Sequence, residues 1–492
     1  MSFAHLLEID RQRGQSLYRQ IAEQIKLQIS DGRLPAGTQL PTVRQLAHSL
    51  NVTRATAQSA YGELQSGGWV ESTVGRGTFV IAAPQNEDII TAVMGNQLTP
   101  DRLMGNMQRI GRIVGLRSLA YAEPDPALFP TEEFWSSLMA QAHDATDLFQ
   151  YSAPQGDEML RVELSVMLGE RGIAALPDEV LVTSGATQAL AVVTQTLAAR
   201  GDYVAVEQPV YLGLLHILGT HGARPIGVPL DSEGVRLDCL EQVIVQHHPK
   251  FLYTTPNFQN PTGTGMSAQR RTDLLALAAR YRLTIVEDDV YGQLHYGDTP
   301  ASPLKAHDTE DLVVYVNAAS KVLMPGLRIG YIVAPFAMQD RMISIRQAND
   351  LAGAPLLQRA FANFLHRGRL KIHLRRVLPH YRERRDALLQ ALQYAMPHGV
   401  EWTRPEGGFC CWITLPDDQM SSDLYHEALQ HGVAFTPGDA FLIKPDGHYH
   451  LRLCFGSSTP EAIHEGVNRL GELLRERTTV RFRGRARDLP LV

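Results

Sequence analysis

The stretch EVLVTSGATQALAVVTQTLAARGDYVAVEQPVY, Glu179 to Tyr211, constrains the fold more than any other part of this sequence. An apolar run, a Ser-Gly turn, a helical run, a Gly-Asp turn and a second apolar run make a βαβ unit. Such a crossover requires a parallel sheet with helices laid on it. The runs FLYTTP, LTIVED and LVVYVN supply further strands, each preceded by helical or loop sequence. From Leu119 onward the chain is therefore expected to be an α/β fold with a mostly parallel sheet. In such sheets ligands sit beyond the carboxyl ends of the strands, so the residues just after each strand carry the functional reading.

Gly185, Ala186 and Thr187 follow the first strand at a helix start, where free backbone N–H groups and the helix dipole suit a phosphate. Tyr211 follows the next strand and is flat enough to stack on an aromatic ligand. Asn260 stands in QNPTG, Asp288, Asp289 and Tyr291 in EDDVYG, and Lys321 and Arg328 in SKVLMPGLRIGY. Singly, each has an ordinary structural use. As a set they have a chemical logic. A lysine that loses its charge on burial is a nucleophile able to form an imine with an aldehyde. A carboxylate at a strand end can keep a pyridinium nitrogen protonated. An arginine fork clamps a phosphate bidentately. Lys321 and Arg328 both lie among apolar residues, so both are expected to be buried. With the helix start and the stacking ring they describe a pyridoxal phosphate site.

The first eighty residues follow a different pattern. Leu17, Ile21, Ile25 and Ile29 recur every fourth position as the apolar stripe of a helix that stops near Asp31-Gly32. Two short helical patterns follow around a tight turn. Pro41 can open the first, with Val43, Leu46, Ala47 and Leu50 as its inner face. Asn51 suits the left-handed turn, and Thr53 can cap a second helix whose inner face carries Ala57, Ala60, Tyr61 and Leu64. WVESTVGRGTFVI then alternates as two strands joined at Gly75-Arg76-Gly77, which completes a winged helix. Its second helix would present Arg54, Thr56 and Gln58 to base edges and phosphates, with Arg44 and the wing tip gripping the backbone. Through Ile81 there are eight Lys or Arg against six Asp or Glu, within a net charge of −6 for the whole chain, so any polyanion binding is local to this module.

At 492 residues the chain is too long for one ordinary core. The boundaries expected are a DNA-binding module at 11–81, a linker at 82–117 with scattered Gly, Asn and Pro, a large domain at 118–477, and an Arg-rich tail at 478–492 that is read as solvated. Four cysteines form no disulfide framework and have no metal-ligand spacing, so they are read as reduced core residues and no metal is expected. No apolar run approaches the roughly 18 to 20 residues of a membrane span, and the first residues lack the pattern of a signal peptide. A cytoplasmic protein is the expectation.

The segments LPTVRQLA, NVTRATAQSAYGELQSGGWV and GRGTFV resemble the winged-helix domain of GntR-type bacterial regulators. The resemblance implies double-stranded DNA as the partner and places Arg44, Arg54 and the wing glycines Gly75 and Gly77 at DNA-contacting positions, beside the candidates Thr53, Thr56, Gln58 and Arg76 read from the helix and the wing tip. Ala55 and Gln58 stand where other members often carry longer or basic side chains, so the target sequence does not carry over. SGATQAL, QNPTG, EDDVYG and SKVLMPGLRIGY resemble the fold-type I aminotransferases over about residues 119–475. That resemblance implies that Lys321 carries pyridoxal phosphate as an imine, that Asp288 pairs with the ring nitrogen, and that Asn260 and Tyr291 bond the ring oxygen. Asp288 is chosen over Asp289 because the family spaces this aspartate three residues before the tyrosine. Arg328, Gly185, Ala186, Thr187 and Ser320 would surround the phosphate and Tyr211 would lie against the ring. Arg452 falls where the family binds a substrate carboxylate, the alternative being a surface ion-pair partner. Tyr151 falls where a partner subunit's tyrosine reaches the phosphate, which implies a homodimer. One departure is Ala318, where the family usually carries a phosphate-binding hydroxyl; one charge-assisted hydrogen bond is worth about 1.5–3 kcal/mol.

The fusion of the two parts resembles the MocR/GabR subfamily of GntR regulators. It implies a pyridoxal phosphate-dependent transcriptional regulator, a homodimer with exchanged DNA-binding modules, that senses an amine, an amino acid or the cofactor itself. The other reading is a working aminotransferase with an accessory DNA-binding domain. Imine exchange begins both, so the site residues leave the choice open.

Overall fold

In the computed structural model of the protein, residues 7, 9, 16–30, 33–66, 69–73, 77–81, 116–141, 146–297, 302–416, 420–444 and 449–487 are described. They divide into two compact units, one holding the described residues up to Ile81 together with Leu116 and the other those from Arg117 on. The wing tip with Gly75 and Arg76, and residues 82–115 of the expected linker, lie outside the described residues.

The first unit is built of α1 (Leu17–Ser30), β1 (Gln39–Leu40), α2 (Val43–Ser49), α3 (Arg54–Ser66), β2 (Val70–Thr73) and β3 (Gly77–Val80). The strands form an antiparallel sheet in the order β1-β3-β2. Ile21, Ile25 and Ile29 of α1 close a core with Leu46 and Ala47 of α2 and Ala57, Ala60, Tyr61 and Leu64 of α3. Asn51 takes the left-handed conformation at φ 51°. Thr53 caps α3, accepting the Thr56 N–H at 3.1 Å. The start of α2 lies two residues beyond the Pro41 expected to open it. The cap is Thr42, not an opening Pro41: Thr42 Oγ1 accepts the Gln45 N–H at 3.3 Å, and the Gln45 side chain accepts the Thr42 N–H at 2.9 Å. This reciprocal pair satisfies two amides that a proline start would leave unpaired.

The second unit opens with β4 (Arg117–Ser118), α4 (Thr131–Met139) and α5 (Glu158–Gly169). The main sheet is made by β5 (Val180–Thr183), β6 (Tyr203–Gln208), β7 (Arg224–Asp231), β8 (Gly234–Val235), β9 (Phe251–Thr254), β10 (Thr284–Asp288), β11 (Val313–Ala318) and β12 (Gly330–Val333). Its order is β5-β12-β11-β10-β9-β6-β7-β8. The run from β11 through β10, β9 and β6 to β7 is parallel, and β12 lies antiparallel between β11 and β5. Helices α6 (Ala186–Leu197), α7 (Leu212–His221), α8 (Leu237–His247) and α9 (Ala268–Tyr281) are the crossovers, followed by α10 (Ala319–Val322) and α11 (Phe336–Asp350). Val192, Val206, Tyr253 and Val314 belong to one buried cluster, and Ala205, Leu252, Leu274 and Ile285 to another. Alternate strand residues thus enter different clusters, as expected for a sheet covered on both faces.

Beyond α11 come α12 (Pro355–His366) and α13 (Arg369–Ala395). A smaller antiparallel sheet, β13 (Glu401–Trp402), β14 (Cys410–Thr414), β17 (His450–Cys454) and β16 (Thr436–Pro437), then follows with α14 (Ser421–Gln430), β15 (Val433–Ala434) and α15 (Pro460–Arg487). Arg117, expected at the end of the linker, instead begins β4, which pairs in parallel with β15. The backbone of the Arg-rich segment is helical up to Arg487 as the end of α15. Three cysteines are buried, whereas Cys239 is only partly so and is not the core residue expected.

Candidate functional site

The carboxyl ends of β5, β6, β9, β10 and β11 open on one cavity of about 210 Å³. Its wall includes Ala186, Thr187, Tyr211, Asn260, Asp288, Tyr291, Ser320, Lys321 and Arg328, together with Glu123, Tyr253 and Thr255, which sequence reasoning missed. Tyr253 and Thr255 stand in and just beyond the end of a strand, so the strand-end rule applied to FLYTTP would have found them. Glu123 carries no such signal, because it lies in the irregular segment between the two-residue strand β4 and α4.

Asp288 and Asp289 are neighbours with opposite fates. Asp289 is fully buried and bonded by Tyr315 Oη at 2.7 Å, by Asn257 Nδ2 at 2.6 Å and by the Arg171 guanidinium. It is committed to the scaffold. Asp288 faces the cavity, where its carboxylate accepts the Tyr253 hydroxyl at 2.8 Å and the Val290 N–H at 3.3 Å. Burial pushes its carboxyl up to about 6, against the opposing pull of the Tyr253 and Val290 bonds.

Lys321 lies on α10 just after β11, and its Nζ donates to the Ala122 carbonyl at 2.7 Å. Burial lowers its ammonium pKa, although the Glu123 carboxylate opposes this. A lysine so placed loses its proton more readily than one in water. The Tyr291 hydroxyl is buried without a hydrogen-bond partner among the described residues. An orphaned hydroxyl beside a cavity awaits an acceptor or donor from a ligand.

At the other end, Gly185 caps α6 at φ 91°. A Cβ there would stand 2.8 Å from the Arg328 guanidinium, so the missing side chain is what lets arginine and helix start converge. Arg328 Nη2 donates to the Ser184 carbonyl at 2.9 Å. Contrary to expectation the Arg328 side chain is exposed rather than buried, because its residue sits in the left-handed turn before β12 and directs the guanidinium to the cavity mouth. Tyr211 stands at the N-cap position of α7 and lines the cavity with Thr187. Ala318 lines the cavity with no polar side-chain atom.

Arg452, on β17, is 5% exposed and so not a surface ion-pair partner. It donates to Asn260 Oδ1 at 2.8 Å, to the Ala120 carbonyl at 2.7 Å and to Thr436 Oγ1 at 3.1 Å. Its Nε is buried without a partner among the described residues, and none of these acceptors is a carboxylate. A buried cation lacking a counter-charge is costly unless a ligand supplies one. Tyr151 is 86% exposed and does not line the cavity.

The described residues hold no group of three or more His, Cys, Asp or Glu placed to bind a metal. The donor set suits a phosphorylated pyridine aldehyde: helix start and arginine for the phosphate, Asp288 for the ring nitrogen, Tyr291 and Asn260 for a ring oxygen, Lys321 for the aldehyde.

In the first unit Arg44, Gln45, His48, Asn51 and Arg54 line one concavity at the turn between α2 and α3. Arg44, Thr53, Arg54 and Gln58 are exposed and Thr56 is partly so. No described helix is long and apolar enough to cross a membrane.

Residues 119–470 match the family described as aminotransferase class I and II, and residues 17–80 match bacterial regulatory proteins of the gntR family. An uncharacterized HTH-type transcriptional regulator of Bacillus subtilis is 32% identical over 469 residues, covering 93% of this chain and 96% of the relative. The HTH-type transcriptional regulator TauR of Rhodobacter capsulatus is 31% identical, covering 94% of this chain and 97% of its own. The crystal structure of LysN, an alpha-aminoadipate aminotransferase from Thermus thermophilus complexed with N-(5'-phosphopyridoxyl)-L-leucine, superposes with a TM-score of 0.72 at 34% identity, covering 76% of this chain and 95% of that one.

Proposed function

Because the chain belongs to the gntR-type regulators in which a winged helix is fused to an aminotransferase class I and II domain, we propose that it is a pyridoxal phosphate-dependent transcriptional regulator. The observation that carries this reading is the presence, in one chain, of an exposed arginine-bearing second helix and a cavity walled by Lys321, Asp288 and Arg328. When bound, pyridoxal phosphate supplies an aldehyde that condenses with primary amines and a ring that withdraws electrons.

In this reading the residues divide the work. Arg328 and the amides of Ala186 and Thr187 hold the phosphate, and Tyr211 covers the ring. Asp288 holds a proton on the ring nitrogen; ring binding returns to its buried carboxylate the positive partner that desolvation makes valuable. Tyr291 and Asn260 orient the ring oxygen, with Ser320 beside the phosphate. Lys321 gives up its proton within the cavity and would be the amine that holds the aldehyde. Arg452 receives the carboxylate of an amino acid effector.

Exposed Trp135, Met139 and Phe149 leave apolar area uncovered in this chain, which supports a homodimer in which Tyr151 reaches the partner's cavity and the DNA-binding modules are exchanged. The effector regulates by binding the DNA-competent and DNA-incompetent arrangements unequally. On the DNA side, Arg54, Thr56 and Gln58 read base edges and phosphates, Thr53 fixes the start of the helix, and Arg44, Gly75 and Arg76 grip the backbone. The second reading, a working aminotransferase, draws on the same cavity and on the likeness to LysN.

The deciding experiment measures binding of the full chain to DNA from upstream of its own and neighbouring genes, at one fixed salt concentration. Wild type and Arg54→Ala are compared with and without pyridoxal phosphate and a panel of amino acids. Specific binding that Arg54→Ala weakens and a ligand alters supports the regulator. Absence of specific binding under every condition, with turnover of an amino acid, replaces it by the enzyme.

A further inference from the structure

Cys410 and Cys454 face each other across the small sheet, one on β14 and one on β17, in direct register. The Phe455 N–H donates to the Phe409 carbonyl at 3.1 Å, which makes the next pair inward, Cys410 with Cys454, a non-hydrogen-bonded one. At such pairs the Cα atoms approach to about 4.5 Å. That lies inside the range of roughly 4.4–6.8 Å that a disulfide spans. The two sulfurs already stand 4.0 Å apart, both thiols are free, and both side chains are buried.

Their surroundings are those of a reactive pair more than of packing residues. Cys410 Sγ lies 3.7 Å from Asn260 Oδ1, and Asn260 is itself part of the cavity wall. The same oxygen accepts from Arg452. Burial by itself raises the Cys410 thiol, but its contact with Cys454 and the charges of Arg452 and Lys321 outweigh this and lower it. Burial holds the Cys454 thiol well above its ordinary range. Cys411, adjacent in sequence, points to the other face of β14, where it donates to the Thr403 carbonyl at 3.2 Å and burial pushes it up to about 12.

We propose that Cys410 and Cys454, packed behind Asn260 of the cavity wall, form a dithiol that a peroxide converts to a disulfide. The Cys410 thiolate attacks one peroxide oxygen, the O–O bond breaks, and the departing hydroxide takes up the proton that Cys410 released and leaves as water, giving a sulfenic acid. Cys454 Sγ then attacks the Cys410 sulfur, the S–S bond forms and the S–O bond breaks. Its thiol proton leaves with the oxygen as a second water. Two thiols have lost two electrons and the peroxide has gained them. Oxidation removes the Cys410 S–H from Asn260 and so alters the residue that also anchors Arg452. Neither thiol lines the cavity, so a peroxide must pass Asn260 to reach Cys410, and the chemistry is independent of the cofactor reading.

The test treats the full chain, free of cofactor, with excess hydrogen peroxide, then denatures it, blocks remaining thiols by alkylation and maps the peptides. Free thiols should fall from the four of the sequence to two. The Cys410 and Cys454 peptides should be joined, Cys239 and Cys411 should remain alkylated, and dithiothreitol should restore all four. Cys454→Ser should abolish the cross-link and leave Cys410 oxidised beyond the thiol. The proposal is overturned if the wild type keeps both thiols reduced, if Cys410 oxidises without joining Cys454, or if Cys411 enters the cross-link as readily.

Discussion

Replacing Asp288 with asparagine is expected to stabilise the cofactor-free protein above neutrality and destabilise it in acid. Burial lifts the Asp288 carboxyl from its ordinary 3.8 to about 6. The folded state therefore binds this proton more tightly than the unfolded chain. Stability from this group is fully present below about pH 4 and is lost as pH rises through about 6. A shift of two units corresponds to about 3 kcal/mol, all of it charged against the folded protein by pH 8. Asparagine removes that term. It also loses one acceptor, because Asp288 takes hydrogen bonds on both oxygens, from Tyr253 and from Val290, and an amide has one oxygen. That loss costs about 0.5–1.5 kcal/mol at every pH. The net gain at pH 8 is then about 2 kcal/mol, and at pH 4 the sign reverses to a loss of about 1 kcal/mol. Urea denaturation of the full chain followed by tryptophan fluorescence reads this directly, since Trp135, Trp402 and Trp412 all lie in the large unit. With a slope near 3 kcal/mol per molar, a 2 kcal/mol gain moves the midpoint by about 0.7 M. A difference between wild type and variant that stays flat from pH 4 to pH 8, or an asparagine variant less stable at pH 8, refutes the reasoning.

Three other outcomes are expected. Ala318→Ser places a hydroxyl on the cavity wall where none exists, and an added bond to a phosphate worth about 1.5–3 kcal/mol should tighten pyridoxal phosphate binding by roughly 10- to 150-fold in a fluorescence titration; unchanged affinity counts against the phosphate assignment. A Cβ at Gly330 would stand 2.5 Å from the Gly185 carbonyl carbon, so Gly330→Ala should lower the melting temperature, costing about 1–3 kcal/mol, and weaken cofactor binding with it. Thr42→Ala breaks the reciprocal cap of α2 and should cost about 1 kcal/mol in the melting of the DNA-binding unit, with cofactor binding unaffected.

Local signals read well from the sequence, and distant ones did not. The left-handed Asn51, the Thr53 cap and the buried stripe of α1 all follow from residues within a turn or two of each other. The parallel sheet was legible because a βαβ unit spells itself out within thirty residues. The split between Asp288 and Asp289 came only from the resemblance. Its physical cause is that Arg171, Asn257 and Tyr315, distant along the chain, converge on one carboxylate and leave the other to the cavity. Arg328 reads as buried in its apolar setting, yet the left-handed turn that carries it is set by the path into β12. Glu123 and the facing cysteines were invisible for the same reason: irregular segments and cross-strand partners have no local periodicity.

The antiparallel strand β12, wedged between β5 and β11, gives the chain a temporal order. The DNA-reading core is complete once Val80 has been made, whereas β5 must wait for β12 and the cavity must wait for β17. At about 5–20 residues per second, the ribosome takes roughly 20–75 s to travel from the end of the winged helix to Arg452. For that interval a nascent chain carries the core of the first unit without the cavity of the second, so the two units reach their folded cores at different times.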